Sequence, residues 1–135
     1  MIPNTDITVY NKFVSSGTEA YQRTVVPDVV WQATKAVSGA QSGLLSSNVA
    51  TILIPFARDA NYVAPKAWLA LVTKTGKWTL KEGDYIVKGS VSTEITGAVT
   101  ISTLKGVYDN VVMITSVDVM DQGSQNVQHF EVGCK

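Results

Sequence analysis

Apolar and polar positions alternate with a period of two along much of this chain, the spacing of a half-buried strand. Asp6 to Val14 (DITVYNKFV) is rich in β-branched and aromatic residues and predicts a first strand, broken by Ser15, Ser16 and Gly17. Glu19 to Ala33 (EAYQRTVVPDVVWQA) predicts a long second strand bent at Pro27. Proline cannot donate to a ladder, so it belongs at an edge or a bulge. Spacing by two sets Val29 and Trp31 on one face and Val30 with Gln32 on the other. Asn48 to Phe56 predicts a third strand, stopped by Pro55. Between the second and third strands lies TKAVSGAQSGLLSS, Thr34 to Ser47, with four serines, glycines at 39 and 43, and one apolar pair, Leu44-Leu45. A loop of this length is uncommon in a compact domain unless it has a task or is disordered.

The pattern changes at Asn61 to Val72 (NYVAPKAWLALV), where Pro65 suits a helix N-terminus and Ala67 to Leu71 favour a short helix. Alternation returns at Trp78 and Leu80, set against Lys77 and Thr79, which predicts a strand end. Lys81-Glu82-Gly83-Asp84 then supplies a turn with Gly83 at positive φ, and Tyr85 to Val87 resume the strand as far as Gly89. Together GKWTLKEGDYIVKG predicts a tight hairpin or corner built on Trp78, Gly83 and Tyr85. Val91 to Ile95 alternates again and predicts a continuation. Ser102 to Tyr108 predicts one more helical turn. In the run VVMITSVDVM, residues 111 to 120, Val111, Met113, Thr115, Val117 and Val119 share one face, and Val112, Ile114, Ser116, Asp118 and Met120 the other. A polar turn at Asp121 to Ser124 and an alternating Asn126 to Val132 complete a terminal hairpin. The whole predicts an all-β, single-domain barrel or sandwich over residues 1–135, with about six strands, one or two short helices and a long loop between strands two and three.

The 135 residues suffice for one modest core, and 45% hydrophobic content is that of a globular domain. Eleven basic residues balance eleven acidic ones. A protein whose main task is to grip duplex phosphates needs a basic surface, so zero net charge argues against that task. The longest apolar stretches, such as Ala50 to Phe56, fall far short of the ~20 residues of a membrane span. The opening MIPNTDITVY has neither a basic nor an apolar leader region, and no secretory signal is predicted. The single cysteine, Cys134, permits no internal disulfide and predicts a tail thiol without consequence, in keeping with a reducing cytoplasm.

Candidate chemistry is sparse. The one histidine, His129, sits in a predicted strand with no nucleophile elbow anywhere in the chain, so it predicts a strand residue. One histidine, one terminal cysteine and scattered carboxylates make poor metal-ligand material. Asp118 and Asp121 flank Met120 at a strand end, where aspartate commonly serves the local turn. Gly39 and Gly43 are not followed by the Gly-Lys-Ser/Thr of a phosphate loop. Three tryptophans and five tyrosines suit base stacking in principle, yet they are not interleaved with basic residues; Trp31, Trp78 and Tyr85 are expected in the core. No catalytic residue, cofactor or metal is predicted, which leaves binding or assembly.

The order ITVYNKF, YQRTVVPDVVW, a loop, ILIPF, PKAW, LKEGDYIVKG and a final hairpin ending QHFEVG resembles the head-completion (head-closure or stopper) proteins of long-tailed bacteriophages, over nearly the whole chain. The resemblance implies a β-barrel subunit of a homo-oligomeric ring in the virion, at the head–tail interface below portal and adaptor and above the tail, made in the host cytoplasm. It also implies that the loop Lys35 to Ser47 points into the channel and helps retain packaged DNA, without reading its sequence. Ser38, Gly39, Gln41, Ser42 and Gly43 suit movement there, and Leu44-Leu45 suit a constriction. With Lys35 its only charge, the loop would meet DNA sterically. Rival readings are another virion component (tail terminator, tail tube or capsid decoration) and a single-stranded nucleic-acid-binding barrel.

Overall fold

A computed structural model describes residues 3–33, 50–56, 61–96, 99–124 and 127–135. Strands β1 (Thr5–Ser15), β2 (Thr18–Ala33), β3 (Ala50–Pro55), β4 (Tyr85–Lys88), β5 (Val111–Met120) and β6 (His129–Cys134) form a closed barrel in the order β1-β2-β3-β6-β5-β4. Every pair is antiparallel. Two short helices, α1 (Pro65–Ala70) and α2 (Ile101–Val107), lie in the connections on either side of β4. The all-β barrel expected from the alternation is the fold.

The β1–β2 hairpin closes with Ser15 opposite Thr18, leaving a two-residue turn. Ser16 (φ 52°) and Gly17 (φ 80°) are both left-handed, as a turn matching the right-handed strand twist demands. The bend at Pro27 is a β-bulge: between the pairs Thr5–Val29 and Ile7–Val26, β2 carries one more residue than β1. Asp28, at φ 60°, is held there by its N–H donating to Asp6 Oδ1 at 3.1 Å.

Alternation fills the barrel. Ile7 and Val9 of β1, Val29 and Trp31 of β2, and Ala50, Ile52 and Ile54 of β3 point inward with Ile86, Val112, Ile114, Phe130 and Val132. A smaller core lies outside the wall, where Tyr10, Val87, Val91 and Leu104 pack beneath α2 and the strap leading to it. A capping box between Thr100 and Thr103 starts α2.

Four expectations are corrected. Trp78 and Leu80 are not part of a ladder strand; Trp78 makes only an isolated parallel bridge to Tyr62, and β4 pairs with β1 and β5. Asn11 ties the segment down instead, its Nδ2 donating to Thr79 O at 2.8 Å and its Oδ1 accepting from Thr79 N at 3.1 Å. A side-chain amide thus takes the place of a neighbouring strand. Val91 to Ile95 does not continue β4, because at Gly89 (φ 97°) the chain leaves the sheet and crosses β1. There Thr8 Oγ1 donates to Gly89 O and accepts from Val91 N, both at 2.8 Å.

The two faces read along β5 do not persist, because a second bulge falls between Ile114 and Ser116. Val112 and Ile114 point into the barrel, and beyond the bulge Val117 packs against the same core. Finally, of the strand expected over Asn126 to Val132, Asn126 lies outside the described residues and Val127 and Gln128 are not strand; β6 begins at His129 and continues to Cys134, which is a fully buried core residue and not a free tail.

Candidate functional site

The residues expected to face a channel, Lys35, Ser38, Gly39, Gln41, Ser42, Gly43, Leu44 and Leu45, lie outside the described residues. What is described is how the loop is anchored. Ala33 pairs with Ala50, Ala50 with Cys134, and Cys134 with Ile114. The connection 34–49 therefore leaves and re-enters the wall at adjacent positions, at the barrel end that also holds the C-terminal strand end. The opposite end carries Pro55, His129 and Met120, paired in that order across β3, β6 and β5.

The other singled-out residues serve the frame. Trp31 and Trp78 are buried in the main core, Trp78 edge-on to Tyr62 with centroids 5.1 Å apart. Gly83 has φ 91°. Tyr85, half-buried, packs on the outer core with Lys105 Nζ 5.4 Å above its ring. His129 Nδ1 donates to Val127 O at 2.7 Å, on the outward face of the β5–β6 hairpin. Asp118 stands opposite Glu131 across the hairpin, whereas Asp121 lies past the end of β5. Among the described residues no three metal-ligating side chains cluster.

The most deeply set charged group among the described residues is one whose partners sequence reasoning missed. Asp84 is 2% exposed; its Oδ2 accepts from Asn11 Nδ2 at 2.8 Å and from Lys81 Nζ at 2.6 Å, and its Oδ1 from Lys12 N at 3.1 Å. Lys81 Nζ also donates to Lys12 O at 2.9 Å and lies 5.1 Å from the centre of the Trp68 ring. The turn Lys81 to Asp84 is thereby riveted to β1. No local spacing signals this, because Asn11 lies 73 positions before Asp84.

Zero net charge conceals a division. Residues 61–81 contain Lys66, Lys74, Lys77 and Lys81 and no carboxylate, whereas residues 117–131 contain Asp118, Asp121 and Glu131 and no lysine or arginine. Lys74 and Lys81 border an apolar patch made by Val14 and Leu69, with Val72 beside Lys74; these three apolar residues are 67%, 50% and 102% exposed. Beside it a groove is lined by Phe13, Val14, Leu69, Lys12, Lys74 and Lys81, with the carboxylates of Glu82 and Asp84 at the Lys81 turn. Lys74 is fixed there by donating to Leu71 O at 2.9 Å and lies 5.2 Å over Phe13. Asp121 and Glu131 border a second apolar patch, made by Val119, Met120 and Val127, with a groove that reaches His129.

Fold and surface together define a small closed antiparallel β-barrel with two unlike apolar patches and a long connection anchored at one end. Over residues 2–135 the chain matches the family described as "Family of unknown function (DUF6751)", and it belongs to that family. No curated protein and no solved structure matches it.

Proposed function

We propose that this chain is a structural virion protein: a head-closure or stopper subunit that forms a ring at the head–tail interface of a long-tailed bacteriophage. In that place it joins the portal–adaptor side to the tail and helps retain packaged DNA. The observation that carries the reading is the pairing of Ala33 with Ala50, which fixes both ends of the 34–49 connection at one end of the closed wall. Each strand of the closed wall has a neighbour on both sides over part of its length, and in this reading copies meet through side-chain surfaces on a rigid body. Burial of Trp31, Trp68 and Trp78 supports this reading over single-strand binding, which needs rings free to stack on bases.

Loop shortening in the phage genome tests the reading. Halving a loop changes its closure free energy by only ~0.6 kcal/mol, so the barrel remains folded and rings still form. The expected phenotype is leakage: heads package DNA and then lose it before tails attach, giving an excess of empty heads by electron microscopy. Full, infectious particles at normal yield contradict DNA retention by this segment.

A further inference from the structure

We infer that the two apolar patches are the two halves of one head-to-tail contact between copies of this chain, the basic patch of one subunit receiving the acidic end of the β5–β6 hairpin of the next. The inference rests on the ring reading for closure into a ring; the contact itself rests on the surfaces.

The patches are complementary in charge and alike in character. Leu69 and Val72 present apolar surface beside Lys66 and Lys74, and Val119, Met120 and Val127 present it beside Asp118, Asp121 and Glu131. Lys66 and Leu69 are three residues apart on α1 and therefore neighbours on one helix face. Exposed apolar groups rimmed by charge mark interaction surfaces, and complementary rims fix partner and register.

The hairpin also carries an internal sign that it is built for a partner. Asp118 and Glu131 are directly opposed across β5 and β6, an arrangement that costs stability in an isolated hairpin. Among the described residues neither carboxylate has a lysine or arginine within ion-pair distance. A lysine cluster from a neighbouring copy relieves that repulsion.

Position makes the contact heterologous. Val14 lies on β1, and β1 and β6 are three steps apart in either direction around the six-stranded wall. Both patches lie at the barrel end that carries Met120 and the β1–β2 turn, one beside β1 and the other along β5–β6, and the contact inferred here pairs each with the other on a neighbouring copy. They link copies in succession, and such links close into a ring when the rotation between subunits permits.

Reciprocal charge reversal in the full chain, read by light scattering during size-exclusion chromatography at high protein concentration, provides the test. The wild-type chain self-associates at low salt and less at high salt. Lys66→Glu with Lys74→Glu, and separately Asp118→Lys with Glu131→Lys, each weaken association by about tenfold or more. Mixing the two variants restores it, since each now offers the face the other lacks, and restoration also shows that both are folded. Val72→Ser, at a fully exposed position, weakens association even in salt that screens the charges. Oligomers of unchanged mass in both reversed variants overturn this contact and leave the ring reading standing. A wild-type chain that remains monomeric throughout overturns the contact too, and the particle phenotype of the shortened loop then judges the ring reading separately.

Discussion

At Asp84 a carboxylate shut away from solvent gathers Asn11, Lys81 and the Lys12 amide, so its removal strands a cation and an amide donor together. Lys81 keeps only 15% of its side chain exposed and cannot simply turn to water. Asp84→Ala is therefore expected to cost about 3 kcal/mol in urea unfolding, the scale of a buried pair broken on one side. A loss under about 1 kcal/mol would mean that the turn is not riveted to β1. Cys134 makes a prediction of a different kind. Burial pushes its thiol up from the ordinary 9.0 to about 12, so the unfolded chain releases that proton first. The stability this group contributes is complete below pH 9 and is lost as pH rises from there toward about 12. Tyr10, raised from 10.0 to about 12 chiefly by burial, adds to the same alkaline decline. Cys134→Ala lowers stability at neutral pH by leaving a cavity, yet it flattens the alkaline slope by up to about 1.4 kcal/mol per pH unit. Denaturant midpoints collected from pH 8 to 11 report that slope, and an unchanged slope contradicts the burial.

Among the elements, the strands were legible wherever alternation alone decides the face. Ile7 and Val9, or Ile52 and Ile54, enter the core on a strict period of two, and Pro27 announces its bulge because it has no N–H to give. Legibility ended where tertiary partners replace the ladder. Nothing near Thr79 reveals that Asn11 satisfies its backbone, and nothing near Thr115 announces the bulge that turns Val117 back to the core. A cysteine beside the terminal lysine resembles a frayed end, which hides that β6 runs on past Val132 to a buried Cys134. Two glycines distinguish backbone conformation from space. Gly83, at φ 91°, has no atom within 4 Å of an added Cβ, so Gly83→Ala bears only backbone strain, costing about 1–2 kcal/mol. Gly106, inside α2 with equally open surroundings and no positive φ, gains from the same change by roughly 0.4–1 kcal/mol. Thermal unfolding of the two variants should shift in opposite directions; a shared sign contradicts the assigned conformations.

For the molecule as a whole, the expected site residues separate into frame and reach. Trp31, Trp78, Gly83 and Tyr85 build the barrel and its corner, while the loop from Lys35 to Leu45 belongs to a connection known here through its anchors, Ala33 and Ala50. The charged surfaces were invisible to a sum over the chain, because the four lysines at 66–81 and the three carboxylates at 118–131 merge into a total of zero while standing on different segments. The closed barrel with two unlike apolar patches is the body on which the proposed ring subunit is built. Its proposed place in the particle is open to direct measurement. Antibody against the full chain, applied to purified tailed particles from cells that make it and to particles whose tails have been removed, should label a single vertex where head meets tail. Label over the whole head, along the tail, or on no particle at all contradicts the head-closure account.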